Sequence, residues 1–451
     1  MNSPVLDRYR CPEEFIRIRS SESLSEVSRF FHFGSDILCY GRSSFKSSST
    51  SRNGSTVDVF ADIKVDRGEL LVPFDPGRII DNLRLERYTA QSSELGFGAA
   101  SLTKGLYYFL RPLLPLALRR HLHKAYFYRW DKIAFPRWPL DLTVEDLLEA
   151  LLLLSMEAAG VDAIPFIWFW PDGADSAAIM THDVETSSGR DFCSELMNIN
   201  DSFGISSSFQ IVPESRYAVP PEFLDEIRNR GHEINIQDLN HDGLLFRDRA
   251  RFEERVKLIN GYGHAFGARG FRSAVLYRNL NWIHLIDFEF DMSVPNVGHL
   301  EAQRGGCCTV FPYFVGKVLE IPVTTTQDYT LFHVLGQYTL DLWQTQVAAV
   351  RQKHGLASFI VHPDYLSGTR SLGTYHALLN FLQQCRSEHG MWLTTANAVN
   401  DWWRLRSQMS LVFQDGAWQI LGSGKERAKV AYARTSGGKL VYDHGGVTAR
   451  Q

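Results

Sequence analysis

Several features are scarce or missing in this chain, and each absence narrows its function. Among 451 residues there are six cysteines, Cys11, Cys39, Cys193, Cys307, Cys308 and Cys385, with no CxxC pair. At this length that argues against a disulfide scaffold, and the adjacent Cys307 and Cys308 read as two reduced thiols. No uninterrupted apolar run reaches the length of a membrane-spanning helix. Residues 1–20 carry charges throughout and lack the apolar core of a secretory signal, so the expected location is cytoplasmic. The formal net charge is only -4, which gives no electrostatic footprint for nucleic-acid binding. No internal repeat is present. What remains is an ordinary globular composition, 44% hydrophobic and 22% charged, long enough for two or three domains.

Four regions are expected. Residues 1–85 read as a small mixed α+β region, interrupted by a Ser-rich stretch at 47–55 and followed by strand-like alternation over 56–74. Residues 86–165 read as a helical connector. Within it, 106–118 is apolar and aromatic, broken by Pro112 and Pro115, and followed by Arg119, Arg120, His121, His123 and Lys124. The 106–124 segment can make peripheral contact with an anionic membrane surface, although a core helix with a solvated basic face is the more ordinary reading. A Leu-rich helix over 147–156 has Thr143 and Asp146 as a capping-box-like start and Gly160 as a stop. Residues 166–405 alternate short apolar runs with helix-like segments. The apolar runs are 177–180, 207–212, 233–236, 270–271, 290–294, 318–322 and 358–362; the helical segments are 191–203, 221–230, 247–266, 340–354 and 373–389. This repeated β-then-α order predicts an α/β fold with a parallel sheet, open or closed into a barrel. Residues 406–451 read as a small β appendage.

The polar residues of the 166–405 region fall at predicted strand ends. The run 177–180 leads into Thr181-His182-Asp183-Val184-Glu185. On an extended chain Asp183 and Glu185 point the same way, so two carboxylates converge at the strand mouth. Such a pair can share a cation, or one can act as a base beside it. His182 faces the opposite side and reads as structural. A second strand feeds Gln237-Asp238-Leu239-Asn240-His241. Gln237 and His241 are four apart, and on a helical turn they share a face, a spacing that suits two ligands for one metal. Arg272, Asp291 and His362 close three later strands. Taken singly, each has an ordinary structural reading: a cap, an ion pair, a satisfied core histidine.

Taken in order, these residues resemble the polysaccharide deacetylase family, also called the NodB-homology domain or carbohydrate esterase family 4, over about residues 170–400. Thr181 to Glu185 is similar to the family's Thr-Phe-Asp-Asp-Gly motif. Gly231-His232-Glu233-Ile234 with Gln237 to His241 is similar to its Gly-His-Glu-Ile-Gly-x-His stretch. Phe271-Arg272, Asp291-Met292-Ser293 and Val361-His362-Pro363 resemble its three later motifs. The resemblance implies a distorted β/α barrel of seven or eight strands and removal of acetyl groups from N-acetylated sugars with a divalent metal, zinc or manganese or cobalt. It implies Asp183 as the base, Arg272 as the group that orients it, His362 as the general acid, and Asp291 as the residue fixing the tautomer of His362.

The departures fall on the metal. Val184 stands where the family has its second aspartate, and Gln237 where it has the first metal histidine. Glu185, His241 and Gln237 then form the expected ligand set, with Asp238 as another available oxygen. That oxygen-rich set binds zinc less tightly than a His-rich one and suits manganese or another harder cation. Tyr277, Trp282, Tyr313 and Tyr365 are available to stack on a sugar ring. The expected partner is a saccharide or glycoconjugate, with a cytoplasmic nucleotide- or lipid-linked precursor favoured over a finished wall polymer. Two alternatives stay open: a hydrolase of a non-sugar amide, and a non-catalytic saccharide-binding or assembly protein with a degenerate metal site.

Overall fold

The computed structural model describes residues 3–44, 56–89 and 127–444. The chain divides into two compact units: one from 88–141 and 175–400, the other from 1–87, 142–174 and 401–451. The segments 47–55 and 106–124 lie outside the described residues. Among the described residues no helix is long and apolar enough to cross a membrane.

The larger unit is an α/β fold, a distorted β/α barrel whose main sheet is a curled half-barrel. Its strands are β1 (Ala177–Val184), β2 (Ser208–Ile211), β3 (Glu233–Gln237), β4 (Gly270–Arg272), β5 (Phe290–Asp291), β6 (Tyr313–Val315), β7 (Val318–Glu320), β8 (Leu356–Ile360) and β9 (Trp392–Thr394). The strand order is β6-β7-β5-β4-β3-β2-β1-β8, with β9 also on β1. Every pairing is parallel except β6 with β7. All eight residues of β1 are buried, which is why its sequence shows no alternation: a parallel sheet is covered on both faces.

The connecting helices are α1 (Ser187–Ser202), α2 (Pro221–Asn229), α3 (Arg249–Phe266), α4 (Asp341–Gln352) and α5 (Thr369–His389). Helix α1 begins four residues before the sequence pattern suggests, because the Thr186 side chain caps it by accepting from the Gly189 N–H. Asp248 caps α3 in the same way, and Gly267 ends it with φ +60°. Ile236 of β3, Phe271 of β4 and Phe252, Val256 and Ile259 of α3 form one buried apolar cluster, which fixes the height at which β3 and β4 end.

The back of β1 is equally constrained. His182 points away from the mouth, its Nδ1 3.0 Å from the Val361 carbonyl oxygen. Its Nε2 accepts from Asn200 Nδ2 at 2.9 Å, and Asn200 Oδ1 accepts from the Tyr375 hydroxyl. Burial lowers the His182 pKa to about 3, so the ring is neutral and its role is structural.

In the other unit, strand Ala163–Ile167 pairs antiparallel with Val430–Ser436, which pairs with Lys439–Asp443. A hairpin joins Ser410–Gln414 to Ala417–Leu421. The helix Thr143–Ala159 ends at Gly160, with φ +66°, but its N-cap is Leu142. Thr143 is therefore the first helical residue and not the cap its sequence suggests. Arg406 is buried here and donates to the carbonyl oxygens of Ile167 at 2.6 Å, Trp168 at 2.8 Å and Arg8 at 2.9 Å.

Candidate functional site

The parallel strands of the larger unit deliver their C-terminal residues to one mouth, where functional groups gather in β/α barrels. Asp183 stands at the end of β1, 4% exposed, and Arg272 at the end of β4 is completely buried. Arg272 Nη1 donates to Asp183 Oδ1 at 2.5 Å and to the Thr181 hydroxyl at 2.8 Å, while its Nε donates to the Met292 carbonyl oxygen at 3.0 Å. Three acceptors, two on β1 and one just past β5, thus hold the guanidinium, and the guanidinium holds the carboxylate in place.

Glu185 lies just beyond β1. Its backbone N–H donates to Asp364 Oδ2 at 3.3 Å. Its Oε1 is 2.8 Å from His241 Nε2 and 3.5 Å from His362 Nε2. Gln237 Nε2 spans the two acids, 3.0 Å from Asp183 Oδ2 and 3.4 Å from Glu185 Oε1. Burial raises the Glu185 pKa, but His241 and His362 outweigh it and the net shift is well downward. His362 shows the mirror image: burial lowers its pKa, whereas Asp328 and Glu185 raise it well above the ordinary imidazole value. Its Nδ1 is 2.6 Å from Asp328 Oδ1, and its backbone N–H donates to Asp328 Oδ2 at 2.8 Å.

Asp183, Glu185, Gln237, His241, Arg272 and His362 therefore meet at one centre, and Asp291 does not. Asp291 lies on β5 in register with Glu320 on β7. Its Oδ1 accepts from Ser293 Oγ at 2.6 Å, and Glu320 Oε1 accepts from the Val294 N–H at 2.9 Å. Both are fully buried acids. Burial and the neighbouring Asp291 carboxylate push the Glu320 pKa well up, so Glu320 carries a proton and donates to Asp291. The residue that fixes the His362 tautomer is Asp328, not Asp291. The error has a simple cause: the sequence identifies a strand end, but on a two-residue strand it does not say which way the side chain faces. Asp328, eight residues past β7, carries no motif signal of its own beyond being polar after an apolar run.

The loop after β3 also departs from expectation. Gln237 and His241 do not share a helical turn, since Asp238 and His241 adopt left-handed backbone angles of φ +52° and +54°. Asp238 turns back into its loop, its Oδ1 accepting from the Leu239 N–H at 2.6 Å, and takes no place among the converging donors. His241 Nδ1 is 3.0 Å from Arg216 Nη2. A guanidinium only donates, so Nδ1 must accept, which places the ring hydrogen on Nε2, facing Glu185. Burial lowers the His241 pKa, yet Glu185 more than offsets this and the net shift is upward. Of the aromatics, Tyr365 reaches the site, its ring 4.9 Å from His362 and backed by Tyr329 at 5.6 Å. Trp282 and Tyr313 pack into apolar clusters instead.

Donor atoms of Asp183, Glu185 and His362 all lie within 4.8 Å of one another. Gln237 Oε1 is buried beside them with no hydrogen-bond partner. The donor set fits a divalent cation: carboxylate oxygen, an imidazole nitrogen whose other nitrogen is backed by an aspartate, and an amide oxygen available once the Gln237 amide turns over. His241 fits less well as a ligand, because Arg216 occupies its Nδ1 and commits Nε2 to a hydrogen.

No family model and no curated protein matches the chain. Solved structures do. The larger part of the chain is similar to polysaccharide deacetylase structures. One is a Mycobacterium smegmatis protein assigned as a polysaccharide deacetylase, 17% identical over 55% of this chain and 96% of its own, with a TM-score of 0.44. Another is a Pseudomonas aeruginosa PAO1 protein assigned likewise, 13% identical over 52% of this chain and 93% of its own, TM-score 0.42. A third is Puue allantoinase, 14% identical over 52% of this chain and 92% of its own, TM-score 0.41. At these identities the likeness is one of fold, and the chemistry rests on the residues themselves.

Proposed function

We propose that this chain is a metal-dependent hydrolase of linear amides, acting as an N-deacetylase on an N-acetylated saccharide or saccharide precursor. The observation that carries the reading is the single centre formed by the Arg272-clamped Asp183 with Glu185 and His362. Glu185 and His362, with the turned amide oxygen of Gln237, are the residues that would hold a divalent cation. Such a cation would polarise the amide carbonyl and acidify a water molecule.

The chain's own residues do the rest. Asp183 accepts the proton of the attacking water, and Arg272 keeps it aimed. Asp328 holds a hydrogen of His362 on Nδ1, so that Nε2, once its own proton is displaced, turns a lone pair toward Glu185. His241 presents an N–H at Nε2 that hydrogen-bonds the leaving nitrogen, and that nitrogen takes up the proton Asp183 accepted from the water. The roles of the two histidines are thus exchanged relative to the sequence expectation. Their hydrogen-bond partners motivate the exchange: an aspartate behind His362 and an arginine behind His241.

A second reading has one observation in its favour. Gln237 Nε2 already donates to both carboxylates, which satisfies them without a cation and suits a non-catalytic saccharide-binding protein. Two measurements separate the readings: metal content after equilibration with zinc, manganese or cobalt, and acetate release from N-acetylated saccharides. The enzyme reading expects one cation per chain, lost in Glu185→Ala and His362→Ala and retained in His241→Ala, with acetate release abolished in all three. Loss of the cation in His241→Ala but not in His362→Ala would reverse the assigned roles. No cation under replete conditions, with no acetate released, would leave the binding protein.

A further inference from the structure

Arg216 sits at the tip of the loop between β2 and α2, and the loop is anchored on both sides. On one side the Tyr217 hydroxyl accepts from the Val212 N–H at 3.0 Å and donates to the Val184 carbonyl oxygen at 2.8 Å, which ties the loop to the end of β1. On the other, the Glu214 N–H donates to the Leu239 carbonyl oxygen at 3.0 Å, and Glu214 Oε1 accepts from the Tyr262 hydroxyl at 2.9 Å. Between these anchors Ser215 adopts φ +67°, a left-handed conformation that costs a non-glycine residue about 1 kcal/mol. The loop is therefore built to hold its tip at the mouth.

What the tip carries is an exposed guanidinium that makes no ion pair among the described residues. Several other arginines of the same unit, Arg228, Arg230, Arg249, Arg255 and Arg269, each meet a carboxylate. Arg216 makes one hydrogen bond, to His241 Nδ1, out of the five N–H donors a guanidinium offers. Its remaining donors stand one imidazole ring away from Glu185. An unpaired positive charge there opposes a bound cation. That opposition is relieved when an anion engages the guanidinium. A planar fork with free N–H groups is matched to the oxygens of a phosphate or a carboxylate.

We propose that Arg216 recognises an anionic oxygen group on the substrate, which makes the substrate class an acidic N-acetylated saccharide, one bearing a phosphate or a carboxylate close to the acylated nitrogen. The inference rests on the reading of this mouth as a saccharide site and deepens it. The anion occupies the outer face of the guanidinium while its inner Nη2 stays on His241, so the same residue also sets the His241 tautomer.

Calorimetric titration tests this with the wild-type chain, Arg216→Gln and Arg216→Lys against four probes: N-acetylglucosamine, N-acetylglucosamine 1-phosphate, glucose 1-phosphate and glucuronic acid. The two phosphates separate the anion from the amide, and glucuronic acid separates carboxylate from phosphate. At low salt an anionic probe should bind at least about tenfold tighter than N-acetylglucosamine, with the advantage shrinking as salt rises. Arg216→Gln should abolish the advantage, and Arg216→Lys should keep only part of it, since an ammonium supplies the charge without the fork. Equal binding of neutral and anionic probes, binding of none, or an advantage that survives Arg216→Gln would overturn the proposal. If glucose 1-phosphate binds through Arg216 and no N-acetylated probe is hydrolysed, the anion site stands and the deacetylase reading falls. If N-acetylglucosamine is bound and hydrolysed with no anionic preference, the reverse holds.

Discussion

Replacing Arg272 by methionine probes the centre most directly, because the size of its effect follows from burial. Arg272 is 0% exposed and Asp183 4% exposed, with 2.5 Å between Nη1 and Oδ1. Methionine keeps most of the apolar stem and can pack beside Met292 Sδ, which already lies 3.8 Å from Arg272 Nη2. What is lost is the charge partner. Removing one member of a buried ion pair leaves the other uncompensated and typically destabilises by about 3–5 kcal/mol. Thr181 Oγ1 and the Met292 carbonyl oxygen also lose their donor, each adding about 1 kcal/mol. Against a typical total of about 5–15 kcal/mol, Arg272→Met should be barely folded. Asp183→Asn with Arg272→Met removes the stranded charge and should recover most of the pair's share, so the double variant should be more stable than Arg272→Met alone. Urea denaturation followed by circular dichroism, in a double-mutant cycle, reads these differences. A single-variant loss below about 1 kcal/mol, or a double variant no more stable than Arg272→Met, would refute the buried clamp as described.

Other consequences follow from the same geometry. Glu320 holds its proton above the ordinary carboxyl range, so the folded chain binds one more proton than the unfolded chain once pH exceeds the unfolded value, and stability should fall as pH rises from there. The slope for one proton is about 1.4 kcal/mol per pH unit, and Glu320→Gln should flatten it in thermal melts recorded across pH. Cation uptake must displace the proton that Asp328 and Glu185 hold on His362, so uptake should strengthen as pH rises and should release protons detectable with an indicator dye. Asp328→Asn should weaken cation binding by about ten- to a hundredfold with little change in fold, whereas Asp291→Asn should leave that affinity unchanged. Gly306→Ala should be poorly folded, because φ is +148° and the added methyl would strike the Asn296 backbone, which no rotamer change can relieve. A well-folded alanine variant, judged by its melting temperature, would count against that packing.

Much of the site was legible because strand ends are legible. Asp183, Arg272 and His362 each follow an apolar run, and a parallel sheet must carry such residues to one edge. The side of the strand was equally readable for His182 and Asp183, since neighbours alternate and β1 is long enough to show it. Legibility failed where regular geometry stops. Asp291 belongs to a strand of two residues, too short for a face to be assigned, and it pairs with Glu320 instead of supporting His362. Asp328 and Arg216 sit on irregular segments whose positions depend on distant anchors, Arg216 through Tyr217 to Val184. The four-residue spacing of Gln237 and His241 suggested a helical turn, but two left-handed residues set that loop, and nothing in their side chains requires those angles.

The pairing of Val430–Ser436 with Ala163–Ile167 bears on how the protein is made. As the polypeptide leaves the ribosome, the earlier strand waits for more than 250 further residues before its partner emerges. Its last residue Ile167 and the adjoining Trp168, Phe169 and Trp170 end up buried, so they stay unshielded throughout that interval. Synthesis that stalls before the last strands should yield a sticky, chaperone-bound product, even though the stretch carrying Asp183 and His362 has by then been completed.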